Sequence, residues 1–356
     1  MSTPDSATPA PEPLPAAPKP VDDPTPAGTP APAAEAASAV AAEPAAAPVV
    51  PAPPPLTVAL IGKVSCAGIG VAQALLDAGL KVRVLCANAE DESLVRNLKV
   101  PVNAPERPLQ AVLGSEADVA TLANLFTGAN AAAYLSPVGL NGREWRPDAH
   151  LKDLAGILEQ CSASKVPKFV YLSAIGAMTD APARCLREAF EAERRVTASH
   201  LTEFVLRAGP LMGPGDDLMS RVAQVTQSGS PCMGLWSYGD TQIQPLHAYD
   251  LGRCILRCIS GQPEPLRSGT YTVAGGETLE YRELFDRALA RKKRLKLKFH
   301  APFFALKLAG MFAGPEFQER LELLTAPFCA DHNDVAKLLG SVSSLRGLDQ
   351  TLDECA

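Results

Sequence analysis

The sequence predicts an α/β fold: a doubly wound parallel sheet with a small C-terminal α/β lobe, preceded by a disordered tail. Three observations predict it. Proline and alanine dominate residues 1–55 and give way abruptly at Leu56. From there, apolar runs of strand length alternate with helical patterns. Past Arg207 that rhythm breaks into shorter elements.

Seventeen of the 33 prolines fall in residues 1–55, where no aromatic residue occurs. Such a segment buries too little apolar surface to offset its chain entropy, so a semi-extended tether is expected. It reads either as a tolerated extension or as a spacer to a protein partner. Asp5, Glu12, Asp22, Asp23, Glu35 and Glu43 oppose Lys19 alone, so the tail carries −5 of the net −6 and leaves −1 for the rest. That balance argues against nucleic acid as a partner. The N-terminus has neither the basic start nor the apolar run of a secretory signal, and no stretch reaches transmembrane length. Nine scattered cysteines without a Cys-x-x-Cys suit reduced thiols, and a cytoplasmic location is expected.

The elements then follow in order. Residues 56–61 form a buried-strand run, 62–68 a glycine-punctuated turn and 70–78 a helix stopped by Gly79; 82–85 is the second strand. Strand, turn, helix and strand within about 30 residues make a right-handed βαβ unit. The alternation continues with strand 109–113, helix 118–126, strand 131–135, helix 148–161, strand 168–173, helix 184–199 and strand 203–207. A domain over 56–340 is expected to bind its ligand at the carboxyl ends of the strands. The loop Gly209–Gly215 opens a lobe over about 209–340, with helix 250–259, strand 270–273 and helix 279–290, and residues 341–356 read as a tail. Asp250 reads as the cap of the helix that follows it. The basic run Arg291–Arg294, with Lys296, Lys298 and the apolar stretch Pro302–Phe312, reads as a strand and a lobe helix; the other reading is a membrane-surface or partner element.

Gly62-Lys-Val-Ser65-Cys-Ala-Gly68 lies between a strand and a helix, the setting in which a glycine fingerprint carries meaning. Gly62 permits the tight turn, Gly68 lets helix and strand approach, and the helix start offers N–H groups to a pyrophosphate. This is a Rossmann-type arrangement. Lys168-Phe-Val-Tyr-Leu-Ser173-Ala-Ile-Gly176, Leu206-Arg207-Ala-Gly209-Pro and Gln244-Pro-Leu-His247-Ala-Tyr-Asp250 accompany it. In combination the chain resembles the extended and atypical short-chain dehydrogenases/reductases. The nearest likeness is to NmrA-like and sugar-nucleotide-epimerase-like proteins and to the nucleotide-binding accessory subunit of respiratory complex I. The resemblance implies NAD or NADP as cofactor, a dinucleotide site over Gly62, Val64, Ser65, Cys66, Ala67, Gly68, Ala87, Asn88, Ser115, Leu135 and Ser136, and an active-site Ser173.

Active members pair a Tyr with a Lys four residues later. The cation must bring a phenol from about 10 to neutrality, roughly 4 kcal/mol of electrostatic help. In the matching segment Cys185 stands in the Tyr position and Ala189 in the Lys position, and no Tyr occurs between Leu172 and Ser237. Ser173 then remains as a remnant. A nucleophilic Cys185 needs a base or cation it does not evidently have, so an inert thiol is expected.

The cofactor contacts are altered too. Ser65 replaces the middle glycine, Ala87-Asn88 lacks the acid or Arg that meets the ribose, and Ser115 replaces an Asp. At about 1 kcal/mol each, such losses move a micromolar site toward millimolar. The sequence supports a nucleotide-responsive sensor or accessory subunit; the alternatives are an active reductase or epimerase with an atypical acid, and a ligand-free interaction module.

Overall fold

A computed structural model describes residues 55–62, 64–136, 148–213, 217–236, 239–313, 315–326 and 328–354. Residues 1–54 of the predicted tail lie outside them. The alternating half comprises β1 (Thr57–Gly62), α1 (Cys66–Asp77), β2 (Lys81–Cys86), α2 (Ala89–Arg96), β3 (Leu109–Leu113), α3 (Val119–Phe126), β4 (Ala131–Leu135), α4 (Ala149–Ala163), β5 (Lys168–Ala174), α5 (Arg184–Thr197) and β6 (Thr202–Ala208). Then come β7 (Leu211–Met212), α6 (Asp217–Gln227), β8 (Cys232–Trp236), β9 (Gln242–Ile243), β10 (Leu246–His247), α7 (Ala248–Ser260), β11 (Gly269–Val273), β12 (Leu279–Glu280) and α8 (Tyr281–Arg291). The chain closes with β13 (Leu297–Ala301), α9 (Phe303–Ala313), α10 (Pro315–Thr325), α11 (Val335–Leu339) and α12 (Leu348–Glu354).

Seven strands form one parallel sheet in the order β11-β6-β5-β4-β1-β2-β3. Side chains alternate across it, as the period of two requires. Val58, Leu60, Val84, Ala133 and Val170 face α1 and α7, whereas Ala59, Ile61, Ala132, Tyr134 and Tyr171 face α3, α4 and α5. Both faces are therefore covered, which is why the strands read as continuous apolar runs.

Two elements that the sequence assigns to the lobe return to the main body. β11 pairs with β6 as an edge of the large sheet, Gly269 opposite Phe204. α7 packs on α1, and two glycines allow the approach: a Cβ on Gly70 would lie 2.6 Å from the Ala248 Cβ, and one on Gly252 2.6 Å from the Ala74 Cβ. The loss of strand–helix rhythm after Arg207 hides both, because short insertions separate them.

Other boundaries differ as well. His247, not Asp250, caps α7: its Nδ1 accepts from the Tyr249 N–H at 3.1 Å. Asp250 is wholly buried in the first turn, accepting from Arg253 Nη1 at 3.0 Å and the Arg346 N–H at 2.7 Å. Residues 341–356, read as a tail, contain α12, whose Leu348 and Leu352 are buried. The basic run ends in a strand and a helix as expected, yet β13 orients unusually. Lys296 Nζ donates to Ser228 O at 2.8 Å and Lys298 pairs with Asp286 at 2.5 Å, while Leu297 and Phe299 face solvent.

Candidate functional site

A sheet order that reverses between β1 and β4 leaves a crevice at their carboxyl ends, the usual place for a ligand in such folds. Gly62 ends β1 there with φ +112°, and a Cβ would lie 2.3 Å from the Leu135 carbonyl oxygen. Only glycine fits. Ser65, in extended backbone, precedes α1 but makes no capping hydrogen bond through its hydroxyl. Val64, Cys66, Ala67 and Gly68 are buried behind the turn, and Lys63 lies outside the described residues. The start of α1 thus has no cap from the Ser65 side chain.

At the ends of β2 and β3 the polar groups are already engaged. Asn88 Oδ1 accepts from the Asp91 N–H at 2.9 Å, capping α2, and Asp91 Oδ2 accepts from the Ala87 N–H at 3.1 Å. This reciprocal pair brings a buried acid back to the strand end where Ala87 supplies none. The Asn-x-x-Asp spacing, a capping box in all but residue type, is the signal that announces it. Ser115 Oγ accepts from the Ala117 N–H at 3.2 Å in its own turn. Gly114, with φ +157°, leaves no room for a Cβ, which would lie 2.4 Å from Thr121 Oγ1.

Between β4, β5 and α4 lies a buried polar network that pattern reading misses. Tyr134 OH donates to Glu116 Oε2 at 3.1 Å, and His150 Nδ1 is 3.2 Å from the same phenol. His150 Nε2 is 2.9 Å from Tyr171 OH and 3.4 Å from Ser136 Oγ. A neutral imidazole satisfies both sides: Nδ1–H donates to Tyr134 and Nε2 accepts from Tyr171. Burial lowers the His150 pKa to about 4, and burial first, then Glu116, pushes the Tyr134 phenol well above its ordinary range. Burial raises Tyr171 as well. A phenol needed as a proton donor near neutrality must move the other way.

Ser173, two residues along β5 from Tyr171 and on the same face, donates to Glu193 Oε1 at 2.6 Å. Arg207, opposite Ser173 on β6, grips that carboxylate through Nε at 2.9 Å and Nη2 at 2.6 Å. Glu193 lies one helical turn beyond Ala189 on α5, so i, i+4 spacing was the available sign. Cys185 and Ala189 are shut off from solvent, 1% and 0% exposed. Both are buried in an apolar cluster with Met212, Ile243, Leu284 and Phe285 from the C-terminal elements. Glu319 of α10 fastens that arrangement, its carboxylate accepting from the Arg184 N–H at 3.0 Å and the Cys185 N–H at 2.6 Å. No group of three His, Cys, Asp or Glu able to hold a metal ion occurs among the described residues.

The fold is that of solved NAD(P)-linked epimerases and reductases, the fold that the resemblance to extended short-chain dehydrogenases/reductases implies. The UDP-glucose 4-epimerase of Bifidobacterium longum, solved in complex with NAD+ and UDP, superposes with a TM-score of 0.63 at 13% identity, covering 84% of this chain and 96% of that one. The NADPH-dependent quinone oxidoreductase of Escherichia coli, complexed with NADPH, gives 0.63 at 14% identity over 83% and 98%. The triphenylmethane reductase of Citrobacter sp., complexed with NADP(H), gives 0.61 at 15% identity over 84% and 100%. No protein-family model and no curated protein sequence matches the chain.

Proposed function

We propose that this chain is an NAD(P)-binding protein that lacks the conventional hydride-transfer machinery and serves as a nucleotide-responsive sensor or accessory subunit. The observation that carries the second half is at α5, where the positions a Tyr and a Lys would need, Cys185 and Ala189, are sealed in apolar core. Ser173 is committed to the Glu193 carboxylate, so its hydroxyl is not aimed at a substrate. Removal of a general acid/base costs about 10²–10⁴-fold on its own.

Support for the first half is the tight turn at Gly62, where a Cβ would strike the Leu135 carbonyl, and the start of α1 beside it, to which the Ser65 side chain gives no cap. Backbone from Gly62 to Gly68 would hold the pyrophosphate, Asn88 and Asp91 flank the ribose end, and Ser136 and Ser173 border the nicotinamide end. A bound nicotinamide would supply a hydride donor or acceptor; the described residues around it are a neutral His150 and two phenols that burial makes less acidic, not more. A cytoplasmic setting accords with the eight described cysteines, none of which forms a disulfide.

Calorimetric titration of the full chain with NADPH, NADH and NAD tests the proposal. Binding of at least one nucleotide, with no change in its 340 nm absorbance when carbonyl substrates are offered, is the expected result. Turnover of bound nucleotide overturns the sensor reading. No binding at millimolar nucleotide overturns the NAD(P)-binding half and with it the sensor reading.

A further inference from the structure

The segment from Arg287 to Gly314 holds eight cations, Arg287, Arg291, Lys292, Lys293, Arg294, Lys296, Lys298 and Lys307, and no acid. An edge strand ordinarily buries its apolar side chains and wets its charged ones. Here the sides are exchanged. Arg294 Nη1 donates to the carbonyls of Thr226 and Gln227 at 2.8 and 3.0 Å, and Lys296 Nζ to Ser228 and Ser230, so these residues neutralise the carboxyl end of α6. Leu295, Leu297 and Phe299 consequently project into solvent, each at least 60% exposed.

The same exposure continues past Pro302 into α9. Phe304, Leu308, Met311 and Phe312 recur at i, i+4, i+7 and i+8, one stripe of a helix, and are 57% to 87% exposed. A stripe of that spacing is the one a globular protein turns inward. α9 is backed by α10, which is fastened to α5 through Glu319, so the stripe is held outward on a supported element. Exposed apolar surface of this extent marks a binding face.

We propose that β13 and α9 form a docking surface for an anionic lipid bilayer, entered to interfacial depth without spanning it. Charge selects this occupant. Arg287, Arg291 and Lys298 are paired with Glu277, Asp349 and Asp286, whereas the exposed Arg294 donates to uncharged carbonyls and Lys293 is exposed, so positive charge adjoins Leu295 where the apolar surface begins. An anionic headgroup layer complements both properties at once. A second copy docking through the same face would set these cations against one another. No helix among the described residues is long and apolar enough to cross a membrane, which fits attachment at the surface. The surface is independent of the nucleotide reading.

Sedimentation of the full chain with vesicles tests it, using phosphatidylcholine alone against phosphatidylcholine with about 30 mol % phosphatidylglycerol. The chain is expected to sediment with the anionic vesicles only and to be released by high salt. Leu308→Ser with Met311→Ser should abolish binding, and Lys293→Gln should weaken it about fivefold. Leu295→Ser, at a side chain 99% exposed, checks the result in a variant that cannot disturb packing. Failure of the folded chain to bind anionic vesicles overturns the proposal, as does binding indifferent to all these substitutions. So does a dimer that Leu308→Ser dissociates in the absence of any vesicle binding, which would assign the face to a second copy.

Discussion

Glu193 holds Arg207 in a two-pronged ion pair, Oε1 to Nε at 2.9 Å and Oε2 to Nη2 at 2.6 Å, with the Ser173 hydroxyl as a third donor to Oε1. A carboxylate so placed ties the end of α5 to the ends of β5 and β6. Its surroundings are dry on its own side, while Arg207 remains about one-third accessible.

Glu193→Gln is therefore expected to cost about 2–4 kcal/mol, less than a wholly buried pair because water reaches the guanidinium. Urea denaturation at neutral pH measures it. A loss below about 0.5 kcal/mol would show the pair to be ornamental.

Acid should weaken the fold through His150. Its pKa falls from 6.5 to about 4 on burial, so the unfolded chain takes up a proton that the folded chain refuses. The stabilisation is complete above about 6.5 and is lost as pH drops toward 4, about 3 kcal/mol in all. His247, lowered chiefly by burial, adds to the slope with the same sign. The decisive quantity is the difference between wild type and His150→Gln: the variant's urea midpoint should change less between pH 7 and pH 5. Parallel curves would remove His150 as the cause.

Glycine positions separate sharply. Gly252→Ala should destabilise by about 1–3 kcal/mol, since the new methyl meets the Val71 Cα at 2.9 Å and helix propensity returns at most about 1 kcal/mol. Gly156, in the middle of α4 with nothing within 4 Å, is the control, and Gly156→Ala should stabilise by about 0.5–1 kcal/mol. Thermal melts of the two variants should move in opposite directions.

At the crevice, Gly62→Ala forces a Cβ onto the Leu135 carbonyl at a positive φ and should cost at least about 2 kcal/mol. Ser65→Gly with Ala87→Arg is expected to tighten NADPH about tenfold while leaving NADH nearly unchanged, because the guanidinium recognises a 2′-phosphate. Equal gains for the two nucleotides, or none, would place the ribose elsewhere.

The alternating half of the fold was legible because its signal is local. Strands buried on both faces spell continuous apolar runs, and Gly62 marks the turn between β1 and α1. What escaped reading depends on distance along the chain. β11 joins β6 across more than 60 residues, and Arg346 meets Asp250 across 96, relations that no periodicity encodes. At the site, the replacements at Cys185 and Ala189 were visible, but the acids that reshape the crevice were not. Asp91 and Glu193 reveal themselves only once a helix brings them back toward a strand end. Likewise the Lys–Leu alternation near Lys296 told that a strand would form and not which way it would face.

The apolar sealing of positions 185 and 189 has a consequence for any attempt to engineer catalysis into this scaffold. Writing Cys185→Tyr and Ala189→Lys would drive a phenol and an ammonium among Leu284, Phe285 and Met212, an apolar cluster shut off from water. Reactivation is thus a problem of excavation before it is one of chemistry: helices α8 and α10 would have to be pared back so that the two new groups share a solvent-filled space with Ser173.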